Sequence, residues 1–314
     1  MGKITITKYS PGQAAEWDAF VDASKNGTFL FHRAYMDYHS DRFCDFSLMT
    51  YRRGKLYGLL PANVQGDTLY SHGGLTYGGL VMDDHATAAD VIETFTSMND
   101  YLFLVGVKRV VYKAVPVIYH RRPAEEDLYA IFNACGARLA RRSVSTVVCC
   151  ESPVKWRRVR VCGAAKAASA GVTIKQENDP RIFWEILSSN LRNKYNVSPV
   201  HNVGEITLLM NRFPDNIKLF TAGRDGLTLG GVLLYITDTV AHAQYISASE
   251  VGKEAHALDL LFRELMQTYL SNHRYFDFGT STEDNGRVLN EQLIYQKEGF
   301  GGRAICYDTY EWTV

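Results

Sequence analysis

Two kinds of apolar pattern alternate along the chain. Through ATAADVIETFTSMNDYLFLVG (86–106) and EAHALDLLFRELMQTYLSN (254–272), apolar residues recur at three- and four-residue spacing, which predicts two helices with one buried face each. A short β-rich run follows each helix, KRVVYKAV (108–115) and RYFDFG (274–279). Ahead of each helix a longer stretch reads as paired strands about a turn. In FSLMTYRRGKLYGLLPANVQGDTLYS (46–71) the turn is Arg53-Gly54, and in IKLFTAGRDGLTLGGVLLYITDTVAHAQYISAS (217–249) it is Asp225-Gly226. Glycine accepts the positive φ that a tight hairpin needs, so Asp225-Gly226 is the stronger signal. Each half opens on a helix-like segment, WDAFVDASKNG from Trp17 and FWEILSSNLRNKY around Trp184. Aromatic and basic residues come next in both, FLFHRAYMDYH (29–39) and RNKYNVSPVHN (192–202).

The same order of elements is thus stated twice, at an offset of about 167 residues. Antiparallel hairpins first and a crossover helix later predict a mixed α/β sheet covered by helices, built as two tandem domains. A length of 314 residues suits two cores of roughly 150 residues each. The boundary is expected near Glu151, giving domains 1–150 and 151–314. Beyond it, PVKWRRVRVCGAAKAASAGVTIKQENDP (153–180) predicts a helix from about Val154 to Ala170 ended by Gly171. Its Arg157, Arg158 and Arg160 read chiefly as a solvated face, with contact to an anionic substrate as the functional alternative.

Composition narrows the function. Hydrophobic residues make up 46% and charged residues 22%, the profile of an ordinary globular protein. Lys+Arg and Asp+Glu both total 34, so no global field gathers nucleic acid or anionic lipid, and no DNA partner is expected. The opening MGKITITKYS lacks the apolar core of a secretory signal, and no run is long enough to span a bilayer, so the expectation is a cytoplasmic chain without membrane insertion. Six scattered cysteines (Cys44, Cys135, Cys149, Cys150, Cys162, Cys306) form no metal-ligand spacing and read as reduced, mostly buried thiols. Nothing calls for a metal. The sequence has no G-x-x-x-x-G-K-[ST], H-E-x-x-H or G-x-S-x-G motif, and GGLTYGG does not satisfy G-x-G-x-x-G.

The run YFDFGTSTEDNGRVLNEQLIYQKEGFGG (275–302) resembles the closing motif of FemAB-like and related CelD/BioF2-type acyltransferases, in which a strand ending D-F-G leads to a helix and then to a lysine before G-F-G. AAKAASAGVTI (164–174) is similar to that family's inter-domain helix, and SHGGLTYGGLV (71–81) to the glycine-rich segment of its first domain. The resemblance implies two tandem GNAT domains of bacterial type. It also implies transfer of an acyl or aminoacyl group to an amine of a small or cell-envelope precursor. The donor is then acyl-CoA or acetyl-CoA as co-substrate, or an aminoacyl-tRNA. The latter is not favoured, because the coiled-coil insertion of the Fem enzymes is absent and the net charge is neutral.

In a GNAT sheet two parallel strands splay and a thioester arm takes the place of the missing pairing. Here those strands are AHAQYISAS and RYFDFG, whose polar ends carry the candidate residues. Acyl transfer needs a base, oxyanion donors and an acid for the leaving group. Tyr245, Asp277 and Lys297 are the catalytic candidates, and Ser247, Ser249, Gly252 and Thr280 the donor-binding ones. The run Ser249-Glu250-Val251-Gly252-Lys253-Glu254 departs from the Q/R-x-x-G-x-G/A pyrophosphate loop, with only Gly252 in place. For the acceptor the candidates are His39, Tyr77, Arg192, Lys194 and His201, with His32 and Tyr35 beside them. The contrasting expectation is a non-catalytic binding module that keeps the fold without the donor site. Oligomeric state is not legible.

Overall fold

Both predicted hairpin turns consist of two successive residues at positive φ, Arg53 (52°) with Gly54 (76°) and Asp225 (52°) with Gly226 (78°). Their right-handed twist matches the strands they join. The computed structural model describes residues 4–269 and 272–314, so Leu270 and Ser271 of the predicted 254–272 helix lie outside the described residues. The chain divides into two units, Met1–Ser143 with Asp284–Val288 and Cys306–Val314, and Val144–Glu283 with Leu289–Ile305.

In the first unit, β1 (Ile4–Lys8) is followed by α1 (Ala14–Ala23), β2 (Leu48–Arg52), β3 (Lys55–Leu60), β4 (Asn63–Gln65), β5 (Thr68–Tyr70) and β6 (Val81–Met82). Next come α2 (Ala88–Leu104), β7 (Arg109–Lys113) and α3 (Glu126–Cys135). One sheet runs β1-β2-β3-β6. Strands β5 and β7 pair in parallel over only three residues, Thr68 with Arg109, Leu69 with Val110 and Tyr70 with Val111. Beyond Val111 the loop after β5 takes over. The Ser71 N–H donates to Val111 O (2.9 Å), the Lys113 N–H to Ser71 Oγ (2.7 Å) and the Leu80 N–H to Tyr112 Oη (2.7 Å). The Lys113 ammonium donates to the carbonyls of His72 (3.1 Å), Gly73 (3.2 Å) and Leu75 (2.6 Å), matching its three protons. Gly79, at φ 88°, lies so close that a Cβ would sit 3.1 Å from Tyr112 Oη and 3.2 Å from Lys113 O.

The second unit receives the end of β8 (Arg138–Cys149), then α4 (Arg158–Ser169), β9 (Thr173–Glu177), α5 (Arg181–Tyr195), α6 (Val203–Arg212), β10 (Ile217–Arg224), β11 (Leu227–Ile236) and β12 (Val240–Ala248). It continues with α7 (Glu250–Glu254), α8 (Ala257–Tyr269), β13 (Tyr275–Thr280), α9 (Glu291–Glu298) and the start of β14 (Arg303–Thr313). Its strands lie in the order β9-β10-β11-β12-β13-β8, and only β12 and β13 are parallel neighbours. The apolar stripe of α8 (Leu261, Phe262, Leu265, Met266) is buried in a cluster with Val232 and Leu234 of β11 and Phe276 and Phe278 of β13. Each such side chain removed from water contributes about 1.5–3 kcal/mol.

The repeat is visible at atomic detail. Trp17 Nε1 donates to Phe31 O (2.7 Å), and Trp184 Nε1 donates to His201 O (3.1 Å). Each buried indole pins the segment that comes after the opening helix of its unit.

Three expectations differ from the structure. The predicted boundary at 150/151 lies just past β8, whereas the division falls inside that strand and the C-terminal Cys306–Val314 returns to the first unit. There Trp312 joins the first core and its Nε1 donates to Asn99 Oδ1 (3.0 Å). The helix expected from about Val154 starts instead at Arg158. Trp156 packs edge-on against Phe300 (5.0 Å), and the Arg157 N–H is used by Gly299 O (2.9 Å), which keeps this stretch extended. It ends as expected, at Gly171 with φ 78°. The six cysteines are free, but none is buried: Cys44, Cys162 and Cys306 are exposed and the others half-buried.

Candidate active site

Strands β12 and β13 pair over three residues only, Val240 with Tyr275, Ala241 with Phe276 and His242 with Asp277, and then part. Two irregularities bend them at that point. On β12, Leu233 and Leu234 of β11 face Tyr245 and Ala243, which leaves Gln244 as an extra, unpaired residue. On β13 the register with β8 shifts between Asp277 and Thr280, where Gly279 adopts φ 78°. A bulge kinks its strand and increases the local twist. Here the kinks leave Ala243–Ala248 without a β13 partner, an open edge of roughly 20 Å. The gap leads into a cavity of about 850 Å³ lined by Ile246, Ser247 and Ala248 on one edge and Phe278, Lys297 and Phe300 on the other.

At the vertex stands Asp277, fully buried. Its Oδ1 accepts from Ser145 Oγ (2.5 Å) and the Gly279 N–H (2.8 Å), and its Oδ2 pairs with His242 Nδ1 (2.8 Å). The sequence pattern singles out Asp277 but not His242, because the partner of this histidine lies 35 residues away and a single histidine in HAQYISAS carries no periodic signal. Lys297, on α9, donates to Gly279 O (2.9 Å) and Thr280 O (2.8 Å), carbonyls of the strand end that has lost its β12 neighbour. Burial pushes its ammonium down to about 8, against the opposing pull of Asp277.

Tyr245 and His201 share a hydrogen bond (Oη to Nδ1, 2.6 Å), with Trp184 edge-on to the Tyr245 ring at 5.0 Å. Burial pushes the Tyr245 hydroxyl up to about 12, so it stays a protonated donor at neutral pH. Ser247 Oγ accepts from Asn190 Nδ2 (2.7 Å), which also reaches Ala248 O (2.8 Å) and ties α5 to the open edge. Ser249 caps α7 by accepting the Gly252 N–H (3.1 Å) and donates to Leu229 O (3.1 Å). Gly252 lies against β11, where a Cβ would be 2.0 Å from Leu229 O. The Thr280 side chain is exposed. Lys194 lines the cavity, whereas exposed Arg192 borders a separate hollow of about 320 Å³ beside Trp184 and Val203.

The structure places His39 and Tyr77 in the first unit. His39 is buried, with Nδ1 2.7 Å from Met36 O and its ring stacked on Tyr38. The Tyr77 hydroxyl donates to Thr28 Oγ1 (3.1 Å), and its ring lies against Tyr119. At the lip of the cavity Arg160 pairs with Asp259 (2.9 Å) and Lys253 with Glu250 (2.5 Å), so two cations there are already neutralised. Among the described residues no group of three or more His, Cys, Asp and Glu is placed to hold a metal ion, and no helix is long and apolar enough to cross a membrane.

Residues 157–285 match the acetyltransferase (GNAT) domain family. The second unit carries a GNAT fold. The parting of β12 and β13 lies inside the matched span, as does the Ser249–Glu254 turn of this GNAT domain. The whole chain is similar in fold to the crystal structure of FemX, with 11% identity and a TM-score of 0.70 over 99% of this chain and 97% of that one. It is similar also to L-PGS from Bacillus licheniformis (12% identity, TM-score 0.62, 97% and 92% covered). A tandem GNAT protein from the clavulanic acid biosynthesis pathway aligns as well (9% identity, TM-score 0.53, 99% and 98% covered). No curated protein matches the chain.

Proposed function

We propose that this chain is an N-acyltransferase, which moves an acyl or aminoacyl group from a thioester or an aminoacyl ester to an amine of a small or cell-envelope precursor. The observation that carries this reading is the parting of β12 and β13 after three pairs into a cavity of about 850 Å³. Unpaired backbone groups along such an edge need partners, and an extended amide-bearing arm supplies them by adding as a strand. The cavity wall is apolar at Ile246, Phe278 and Phe300 and polar at Ser247, which suits an arm that ends in an acyl group. Tyr245, held protonated and paired with His201 Nδ1, is the candidate hydrogen-bond donor to the oxyanion. Likeness to FemX and to a tandem GNAT protein supports the same chemistry.

The donor is narrowed by the Ser249–Glu254 turn. Its Gly252 amide is taken by Ser249, its glycine face is filled by Leu229, and Glu250 pairs with Lys253. A diphosphate finds few free donors there, so an acyl-CoA would be held mainly through its pantetheine arm. An aminoacyl-tRNA presenting its ester to the same gap is the other donor of the proposal. Acceptor contacts in this unit fall to Lys194 and His201, while His39 and Tyr77 are engaged in the packing of the first unit.

Thermal denaturation of the full chain with acetyl-CoA, longer acyl-CoAs and a non-hydrolysable aminoacyl-nucleoside tests this. An upward shift with at least one of them is expected, lost in Ile246→Trp, which fills the gap. A chain that none of these probes stabilises at millimolar concentration has no such donor site.

A further inference from the structure

At the vertex His242 keeps one ring nitrogen unused. Its Nδ1 faces Asp277 Oδ2 (2.8 Å), while Nε2 has no partner among the described residues. The side chain is 9% exposed although Asp277 beneath it is fully enclosed, so the ring is the part of the pair that meets solvent. Asp277 is fixed in turn by Ser145 Oγ and the Gly279 N–H. A carboxylate that accepts three hydrogen bonds assigns the proton to His242 Nδ1 and leaves the lone pair on Nε2. The dyad occupies the last paired position, His242 with Asp277, and the next residues along β12 are Ala243 and the bulged Gln244. Gly279 lies opposite, where a Cβ would be 3.5 Å from His242 Cε1, so a small residue keeps that side of the ring open.

We infer that His242 is the proton acceptor of the transfer reaction, with Asp277 as the positioning residue that fixes its tautomer. The inference rests on the acyltransferase reading and names the base within that site. In the step, the acceptor amine nitrogen forms the new C–N bond to the donor carbonyl and loses a proton to His242 Nε2. The C–S or C–O bond to the leaving group breaks with its electron pair, and the proton on Nε2 passes to that sulfur or oxygen. Amine and activated ester thus become amide and free thiol or hydroxyl, and the imidazole returns to its starting form. Histidine in this geometry contributes typically about 10²–10⁴-fold to a rate.

The test compares the full chain with His242→Gln, His242→Ala and Asp277→Asn. Donor binding is read by thermal shift with acetyl-CoA, and turnover by protein-dependent release of CoA thiol with hydroxylamine as the amine. The expected result is an unchanged acetyl-CoA shift with at least a ~100-fold loss of turnover in both His242 variants. In Asp277→Asn an amide facing Nδ1 reverses the tautomer and costs a similar factor. Turnover within about threefold of the parent in either His242 variant overturns the assignment. A parent chain that neither binds nor turns over acetyl-CoA sinks the thioester form of the reading, and the same comparison is then made with a 3′-aminoacyl adenosine. Two-bond ¹H–¹⁵N correlation of the histidine rings is a readout independent of any donor. It should show His242 protonated on Nδ1 and lose that signature in Asp277→Asn, and a proton on Nε2 in the parent chain removes the base even if donors bind.

Discussion

Asp127 shows what burial does to one carboxyl. It is enclosed beneath Tyr112, whose hydroxyl donates to Oδ2, and burial pushes it up from 3.8 to about 7. The folded chain therefore holds this proton where the unfolded chain releases it. The stabilisation is complete below about pH 4 and is lost as pH rises through about 7. Urea unfolding at pH 5 and pH 8 should show the parent losing stability by an amount that Asp127→Asn does not. Lys297 is the opposite case. Its Nζ serves the carbonyls of Gly279 and Thr280, so Lys297→Met leaves two acceptors unpaired. A cost of about 1–3 kcal/mol is expected in chemical denaturation, and a cost indistinguishable from zero would mean that water replaces the ammonium freely. Tyr245, Ser247, Asp277 and Lys297 are legible in the sequence because they fall at strand ends or in a motif. His242 and Ser145 are not, since their meaning lies in a carboxylate that is 35 and 132 residues distant.

Among elements, the turn from β12 into α7 shows how close packing can by itself require a glycine. Gly252 matches a phosphate-loop position in sequence, yet its missing Cβ makes room for Leu229 O at 2.0 Å. Gly252→Ala should lower the melting temperature by several degrees and disturb α7 whether or not a donor is present. A variant that melts normally but fails to bind a donor would instead restore the phosphate-loop reading. Ser249→Ala removes the α7 cap and should cost about 1 kcal/mol. The hairpins at Arg53-Gly54 and Asp225-Gly226 and the helices α2 and α8 can be read in advance, because local turn chemistry and a strong apolar stripe fix them. The start of α4 cannot. It is decided by Trp156 against Phe300, a contact across more than a hundred residues of chain.

For the whole molecule, the repeat seen in the sequence survives as paired tryptophan bonds, paired hairpins and two parallel strand pairs of three residues each. The division inside β8 is hidden, because RLARRSVSTVVC has no glycine or proline to mark a break, and its change from basic to apolar residues comes within one unbroken strand. The two strand pairs differ beyond their third residue. In the GNAT domain the edges past the vertex face a cavity, whereas in the first unit they meet Ser71–Gly79 and the three carbonyls held by Lys113. The first copy has thus become its own permanent occupant, a seat filled by the chain that built it. A seat of that kind cannot be competed for. Donor titration by calorimetry should give one equivalent per chain and a Hill coefficient of about one, even at large excess. Lys113→Met, which frees the loop's carbonyls, is the substitution by which a second equivalent would come to be seen.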